Sequence, residues 1–360
     1  MRSALVLAVA AVVACSAAAA APNRTGTLIV GSRVFDGQRM LRANSVLVAG
    51  GKVIAVGSRA TLKARAKKVI VFKNATVLPG FIDLHVHTES RASLKLGVTT
   101  IRNLGEPLLS LPPYPDKPGW QRVRSAGPIV SVPGGYPAVY WGGDIQIDVT
   151  SPASAAQVVN TLVDHGADVI KIAIETGPGT WPTLSLDGVK ALVAAAHARG
   201  RILTAHVSDP TEAREALDEG VDELAHSPCG APAPELMREL AERDVPMVGT
   251  MDVEKNCPFK VANVRSFVQA GGRLLYGTDF SLVPPGIDVR ELKLMAQAGL
   301  TSTQVLAAGT GEAGKELGEN LGTVRAGAPA DVVVVRGDPR KSLSVLGQPL
   351  LVLAGGKRVF

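Results

Sequence analysis

The sequence predicts an α/β protein: a (β/α)8 TIM-like barrel joined to a small β-sandwich domain that both chain termini build. The first observation is that eight strand-like segments, most of them followed by a helix-like one, fill the middle of the chain. The second is that short strands and turns occupy both ends. The third is size, since 360 residues, of which 46% are hydrophobic, can bury one large core and a smaller one.

The first residues have the pattern of an export signal. Arg2 is a short positive region, and an apolar run and then a small-residue segment follow it up to Ala21. We therefore predict a signal peptide over residues 1–21 and an exported protein, periplasmic or secreted. Residues 12–15 also resemble the bacterial lipoprotein box, which makes Cys15 a candidate lipid anchor. No later segment is long and apolar enough to be a transmembrane helix.

The charge distribution indicates no macromolecular partner. The formal charge is +6, and the Lys and Arg residues are scattered along the chain. Nucleic-acid-binding domains cluster their basic residues on one face, so we expect no nucleic-acid partner. We expect a small-molecule substrate and a homo-oligomer.

Both ends of the chain are typical of short strands joined by turns. We predict one small β-sandwich domain from residues 26–78 and 328–360, because the N-terminal strands alone would be marginally stable. The Gly-Gly pairs at 50–51 and 355–356 favour hairpin turns. The predicted strands are Thr27–Val30, Ser45–Val48, Val53–Val56, Lys68–Phe72, Ala330–Val335, Leu350–Leu353 and Lys357–Phe360.

Residues 79–327 form the predicted barrel. The strand segments are rich in branched apolar residues, and the segments between them carry apolar residues at helical spacing. The predicted strands are Phe81–His87, Thr99–Leu104, Pro128–Val132, Asp168–Ile174, Leu203–Val207, Glu223–Ser227, Pro246–Met251 and Leu274–Asp279. The predicted helices include Ser154–Asp164, Leu186–Ala198, Pro210–Glu219, Pro234–Arg243 and Val261–Ala270.

Polar residues at the ends of these strands are the candidate site. A buried strand holds such a residue only when it is paired or liganded, and barrels of this kind carry their catalytic groups at the C-terminal ends of strands. His85 and His87 end the first strand on the same face, where two imidazoles can bind one metal ion. A single histidine there is more often structural, but four of the six histidines lie at strand ends, which favours ligands. The candidate ligands are His85, His87, Lys171, His206, His226 and Asp279.

This order of residues resembles the amidohydrolase superfamily, specifically its binuclear metal-dependent hydrolases with a carboxylated lysine, the prolidase-like and imidazolonepropionase-like group. The resemblance implies two divalent metal ions, which we expect to be zinc. His85, His87 and Asp279 would hold the more buried ion. His206 and His226 would hold the other. The matching segments are Val77–His87, Gly97–Thr100, Gly166–Ile172, Ala205–His206, Leu224–His226, Tyr276–Asp279 and Gly322–Pro339.

The resemblance also implies that Lys171 bridges both ions as a carbamate. Burial among apolar residues would remove the charge of this lysine, and a neutral amine can react with carbon dioxide. Two divalent ions about 3.5–4 Å apart would share a water, lower its pKa and polarise the scissile carbonyl. Asp279 would orient that water, take its proton and deliver it to the leaving group. Alternatively, Lys171 is a plain amine paired with Glu175 at a mononuclear or uncarboxylated site.

Substrate contacts are predicted in the loop after the third strand. It gathers Tyr136, Tyr140 and Trp141 in a chain with only 4% aromatic residues. These rings can form a wall for an apolar or aromatic substrate, or they can pack on one another. Arg102, near the end of the second strand, is a candidate anion contact or one half of a structural salt bridge.

We therefore predict an exported metal-dependent amidohydrolase that acts on the amide carbonyl of a small peptide or an N-acyl amino acid, as the prolidase-like relatives suggest. Alternatives on the same site are an esterase or lactonase, a cyclic-amide hydrolase of the imidazolone type, and a deaminase, which Lys171 disfavours because deaminases of the superfamily typically use one metal. A non-catalytic exported binding protein is the alternative from another class. Cys229 and Cys257 remain after the signal and can pair in an oxidising compartment.

Overall fold

The computed structural model describes residues 25–111, 114–177, 179–253 and 257–360. The predicted signal peptide and Cys15 lie outside these residues. Among the helices in the described ranges, none combines the length and the apolar character that crossing a bilayer requires.

Strands dominate both ends of the chain, and strands alternate with helices between them. The strands are β1 (Thr27–Val30), β2 (Arg33–Phe35), β3 (Met40–Leu41), β4 (Ser45–Ala49), β5 (Lys52–Gly57), β6 (Lys68–Val71), β7 (Ala75–Pro79), β8 (Phe81–Val86), β9 (Val98–Asn103), β10 (Arg122–Ser125), β11 (Ile129–Ser131), β12 (Gln146–Asp148), β13 (Ile170–Ile174), β14 (Leu203–Val207), β15 (Glu223–Leu224), β16 (Met247–Val248), β17 (Leu274–Leu275), β18 (Val332–Arg336), β19 (Pro349–Ala354) and β20 (Lys357–Arg358). The helices are α1 (Arg59–Leu62), α2 (Arg91–Lys95), α3 (Ala138–Trp141), α4 (Ala155–His165), α5 (Leu186–Ala198), α6 (Pro210–Asp218), α7 (Pro234–Glu242), α8 (Lys260–Gln269), α9 (Val289–Gln297), α10 (Ser302–Ala308) and α11 (Gly311–Glu316).

Both chain ends contribute to one β unit, as the sequence predicts. One sheet has the strand order β5-β4-β1-β6, and the other has the order β20-β19-β18-β7-β2-β3. In the second sheet, β18 from the C-terminal end pairs antiparallel with β7, with Val334 opposite Val77. Both valines are fully buried with Val46 of the first sheet in one apolar cluster. The sheets therefore share a core that neither end of the chain could build alone.

The parallel strands in the middle of the chain follow one another in chain order. One sheet has the order β10-β9-β8, and a second has the order β12-β11-β13-β14-β15-β16-β17. Phe280, just beyond β17, forms a parallel bridge with Val86 of β8, and the backbone N–H of Asp279 donates to His85. The last strand is thus hydrogen bonded to the first. All eight predicted strands are present, although the sixth to eighth end earlier than expected because their last residues turn away to carry side chains of the site.

The third predicted strand, Pro128–Val132, is found as β11, and an additional strand, β10, precedes it. β10 pairs with β9, and β11 pairs with β13. Gly127 between β10 and β11 has a φ of 69°, in the left-handed region, and Pro128 has no N–H to donate. These two residues explain the break between the two strands. The sequence analysis missed β10 and β12.

The five helices predicted by residue range are found, as α4 to α8, with bounds within one residue of the prediction. Side-chain caps at the N-termini of α5 and α6 fix where the loops before these two helices end. The Ser185 side chain accepts a bond from the backbone of Gly188 at the start of α5, and Asp209 caps α6 just before Pro210. Such caps hold the loops that follow β13 and β14 at defined lengths.

Candidate metal centre

His85 and His87 lie at the C-terminal end of β8. Their Nε2 atoms are 3.3 Å apart. His85 is fully buried, and its Nδ1 lies 2.8 Å from the carbonyl oxygen of Ala225. Because a carbonyl oxygen only accepts, Nδ1 carries the proton and Nε2 keeps its lone pair. The free lone pair of His85 therefore points toward His87, as a shared metal ion would require.

Asp279 reaches this histidine pair from the loop after β17. Its Oδ1 is 3.0 Å from Nε2 of His87 and 3.6 Å from Nε2 of His85. Its φ of 54° is in the left-handed region, which residues other than glycine seldom adopt and which is common at functional sites. Burial raises the pKa of Asp279, but the electrostatic effect of His85, the hydrogen bond with His87 and the effect of Lys171 outweigh burial and keep this pKa below its ordinary value. Asp279 is therefore a carboxylate.

Asp83 and Gly277 bring the end of β17 close to β8. Asp83 accepts bonds from the Thr278 hydroxyl at 2.6 Å and from the backbone N–H groups of Thr278 and His85 at 3.0 and 3.2 Å. Burial nevertheless raises the pKa of Asp83 to about 7. A Cβ on Gly277 would lie 2.3 Å from the Val248 side chain and 3.0 Å from Cβ of His85. Only glycine allows this approach, which explains the Gly-Thr-Asp order at 277–279.

His226 completes a cluster that can hold a metal ion. Its ring centroid is 4.4 Å from that of His85 and 4.5 Å from that of His206, and its Nδ1 is 2.9 Å from the Thr250 hydroxyl. One donor atom each from His85, His226 and Asp279 lie within 4.8 Å of one another. Burial, followed by the neighbouring histidines, keeps the pKa of His226 well below its ordinary value. The ring is therefore neutral, as a metal ligand must be.

Lys171 lies in β13 with 1% of its surface exposed. Its Nζ makes no hydrogen bond with any described residue. Burial lowers its pKa to about 7. Glu175, its partner in the alternative interpretation, instead lies 3.3 Å from Nε2 of His206 and accepts a bond from the Ser208 hydroxyl. A buried amine without a partner is costly, so its retention indicates a chemical role.

A cavity of about 270 Å³ lies over these residues. Its wall combines the loop after β11 with residues that follow β17. All six candidate ligands, His85, His87, Lys171, His206, His226 and Asp279, line its floor. The apolar wall consists of Ile129, Tyr136, Pro137, Trp141, Ile145 and Leu282. The structure thus brings the six strand-end residues to one place.

Two of the three predicted aromatic contacts line the cavity. Tyr136 stacks on His206 with ring centroids 4.4 Å apart, and Trp141 lies nearer the mouth. Tyr140 does not line the cavity: it is 68% exposed and its ring meets the edge of Trp181 at 5.2 Å. The sequence analysis missed Trp181, which stacks behind Tyr136 at 6.3 Å. Its signal was an aromatic residue in a second loop rich in Gly and Pro, after a strand that carries a site residue.

Arg102 was predicted to be either an anion contact or one half of a structural salt bridge. It is 1% exposed and does not line the cavity. Its Nε donates to the carbonyl oxygen of Leu84 at 2.9 Å, and its Nη2 lies 2.5 Å from Glu223. Glu223 begins β15, so this ion pair lies below the metal site, toward the N-terminal ends of the strands. Arg102 is therefore half of a structural salt bridge, the second of its two predicted roles, and lies away from the cavity.

Cys229 and Cys257 form a disulfide, with Cα atoms 5.6 Å apart. Cys229 lies three residues after His226, and Cys257 precedes α8. The bond therefore links the segments that follow β15 and β16 at the edge of the site.

Fold and site together define a class, that of α/β proteins with a histidine-rich cavity that can hold a metal ion at the C-terminal ends of parallel strands. Residues 91–359 match the Amidohydrolase family. The chain belongs to this family, and we describe it as a hydrolase of the amidohydrolase superfamily.

Similar proteins cover most of the chain. An uncharacterized protein of Mycobacterium tuberculosis (strain ATCC 25618 / H37Rv) is 25% identical over 333 residues, which are 80% of this chain and 86% of that protein. A Xaa-Pro dipeptidase with methionine bound in its active site has a TM-score of 0.76 and 21% identity, over 92% of this chain and 99% of that one. A. niger ochratoxinase has a TM-score of 0.78 and 19% identity, over 93% and 96%. At these identities the two structures show a common fold.

Proposed function

We propose that the protein is an exported, metal-dependent amidohydrolase that cleaves the C–N bond of a small peptide or an N-acyl amino acid. One observation carries the proposal. On the floor of the cavity, donor atoms of His85, His226 and Asp279 lie within 4.8 Å of one another, beside the Nζ of Lys171, which bonds to no described residue. Metal-dependent hydrolysis uses this combination of neutral imidazoles and a carboxylate.

The donor set fits two divalent ions. Imidazole nitrogens and a carboxylate oxygen are ligands that zinc prefers. We assign His85, His87 and Asp279 to the more buried ion. We assign His206 and His226 to the second. When bound, the ions would lower the pKa of a water molecule and polarise the carbonyl of the substrate.

Lys171 suits the role of a bridging carbamate. With its pKa at about 7, the amine is uncharged above neutral pH. Its nitrogen would form a bond to the carbon of carbon dioxide and lose a proton, which gives an anion with two oxygen donors. Because Nζ has no other partner among the described residues, carboxylation breaks no existing hydrogen bond.

Asp279 is the candidate general base. It is a carboxylate within 3.0 Å of His87, and the bond from its backbone to His85 fixes its position. It would accept the proton of the attacking water and donate it to the leaving nitrogen. The apolar wall would keep other water molecules away from the carbonyl.

The finer features of fold and location belong to the same proposal. We interpret the parallel strands of the two central sheets as a closed (β/α)8 barrel over residues 79–327, with a β-sandwich domain from residues 26–78 and 328–360. Export by a signal peptide at residues 1–21 is supported by the Cys229–Cys257 disulfide, because disulfides persist in oxidising compartments.

Two measurements test the proposal. Metal analysis of the purified protein should find close to two divalent ions per chain, and a reproducible count of one or none contradicts the binuclear site. The metal-loaded protein should then hydrolyse members of a panel of dipeptides and N-acyl amino acids. Hydrolysis of only lactones or aryl esters would favour the esterase alternative. No hydrolysis at full metal occupancy would favour a binding protein.

A further inference from the structure

The apolar wall of the cavity is in place before a ligand binds. The Tyr136 ring lies nearly parallel to His206, at 25° and 4.4 Å, and to Trp181, at 18° and 6.3 Å. A Cβ on Gly177 would lie 2.4 Å from the Trp181 ring, so the glycine allows that ring to rest on the loop backbone. Packing between rings and backbone therefore fixes the orientation of Tyr136. A fixed wall costs little ordering entropy when a ligand arrives.

The wall continues as exposed apolar surface to the mouth of the cavity. Trp141 and Leu282, which both line it, are 59% and 51% exposed. The chain has only three Trp and four Tyr residues, and Tyr136, Tyr140, Trp141 and Trp181 lie in or beside this wall. Exposed aromatic side chains concentrated at one cavity indicate a ligand that covers them.

The same wall carries no charge. Among the described residues that line the cavity, every ionisable side chain except that of Tyr136 belongs to the metal-ligand candidates on the floor. Glu175, which lies beside His206, is occupied by His206, Ser208 and the backbone of Gly177. A carboxylate or an ammonium group placed against the wall would therefore lose its hydration and find no side chain of opposite charge there.

The position of Asp279 decides which half of the substrate meets the aromatic part of the wall, which is Tyr136 and Trp141 with Trp181 behind Tyr136. Leu282 follows β17 and belongs to the opposite side of the cavity. Asp279 gives its proton to the leaving amine, so that amine lies on the side of β17. Trp181 follows β13, which is four strands away from β17 in the order of the second sheet. The acyl group therefore lies on the side of Tyr136 and Trp181.

We propose that the aromatic part of this wall is an acyl subsite for an uncharged aromatic group. The substrates would then be N-arylalkanoyl amino acids and related neutral-acyl amides. The inference rests on the proposed amidohydrolase function and selects between its two substrate types. A dipeptide carries an ammonium group on its acyl side, whereas an N-acyl amino acid does not. The site consequently favours the N-acyl amino acid.

A set of substrates with alanine as the common leaving group tests this. Phenylpropanoyl-alanine and phenylalanyl-alanine share one skeleton and differ only by the ammonium group. We expect kcat/KM for phenylpropanoyl-alanine to exceed that for acetyl-alanine by about 10- to 100-fold, from burial of the ring. It should exceed that for phenylalanyl-alanine by at least about 10-fold, because the ammonium group is left unpaired. Succinyl-alanine, with a carboxylate on the acyl side, should be no better than acetyl-alanine.

Variants of two tryptophans distinguish an effect of the wall on substrate preference from a general effect of losing an exposed tryptophan. Trp141→Ala should reduce the ratio of kcat/KM between phenylpropanoyl- and acetyl-alanine to below about 3, and Trp141→Phe should restore most of it. Trp120→Ala removes a tryptophan that is also half exposed but does not line the cavity, so the ratio should stay at its wild-type value. A ratio near one in the wild type, or a preference for phenylalanyl-alanine, overturns the inference.

A binding measurement separates this inference from the proposed function. Tryptophan fluorescence of the metal-loaded protein is titrated with phenylpropanamide and with propanamide, two neutral probes. The aromatic amide should bind at least about 10-fold more tightly, and Trp141→Ala should remove that difference. If none of the alanine conjugates is hydrolysed, the amidohydrolase function fails while this difference still supports the subsite. Equal binding of the two probes overturns the subsite.

Discussion

Lys171 and Arg102 are two buried basic side chains. Among the described residues, Arg102 has an acidic hydrogen-bond partner and Lys171 has none. Each is 1% exposed on a central strand, Lys171 on β13 and Arg102 on β9. Arg102 forms an ion pair with Glu223, at 2.5 Å. Lys171 has no hydrogen-bond partner among the described residues, and burial lowers its pKa to about 7. A paired buried cation indicates a structural role, whereas an unpaired one at a cavity floor indicates chemistry.

The largest effect should follow from removing the unpaired amine. Lys171→Met should lower kcat/KM by at least about 10⁴-fold, because the bridging donor is lost and the ions with it. Metal analysis should find fewer than two ions per chain. The free energy of unfolding of the metal-free variant should equal or exceed that of the metal-free wild type, because an unpaired buried amine is replaced by an apolar chain of similar volume.

A matched control is Lys190→Met, since Lys190 is an exposed lysine on α5. It should keep both activity and metal. Full activity of Lys171→Met would remove the carbamate from the mechanism.

Asp279→Asn tests the general base at nearly constant shape. We expect kcat to fall by about 10³-fold, the range for loss of a positioned base, while at least the second ion stays bound to His206 and His226. Single-turnover kinetics with metal analysis on the same sample separates loss of proton transfer from loss of metal. Turnover within about tenfold of the wild type would assign the base to another residue.

The floor of the site could be predicted because a buried strand leaves few polar residues. His85 and Lys171 each interrupt an apolar run, and Asp279 ends the last predicted strand. Arg102 carries the same signal, yet its partner Glu223 is 121 residues away, and no local pattern pairs them. The aromatic wall was harder to predict than the ion pair. Loop residues have no periodicity, so stacking of Trp181 on Tyr136 depends on how two loops meet in three dimensions.

For the fold, too, local features could be predicted from the sequence and long-range pairing could not. Strand and helix positions follow from hydrophobic spacing, which acts over a few residues and is visible in the sequence. The break at Gly127 between β10 and β11 depends on which neighbour each strand pairs with, β9 for β10 and β13 for β11. Pairing of that kind is a property of the whole sheet.

Removing the paired cation, Arg102, should lower the stability of the fold instead of changing the chemistry of the site. Arg102→Met leaves Glu223 buried without its cation and should lower the free energy of unfolding by about 3–5 kcal/mol in urea titrations. The double variant Arg102→Met with Glu223→Met should recover most of that loss, because no unpaired charge remains. Arg238→Met, at an exposed position on α7, should change stability by no more than about 0.5 kcal/mol. If the Arg102 variant is as stable as this control, the ion pair makes no contribution to the stability of the fold.

The smallest effect is a pH dependence that only the unpaired cation can produce. In the metal-free, bicarbonate-free protein, Lys171 loses its proton near pH 7, whereas in the unfolded chain it keeps the proton to about pH 10.5. Between these values the unfolded state binds one more proton, so the stability of the wild type rises with pH relative to Lys171→Met. The slope is up to about 1.4 kcal/mol per pH unit, or about 2 kcal/mol from pH 7.5 to 9.0. Urea titrations across this range should show the stabilities of the two proteins converging, while Lys190→Met stays parallel to the wild type. Parallel curves for Lys171→Met would mean that this amine is charged when buried, and the contrast with Arg102 would then disappear.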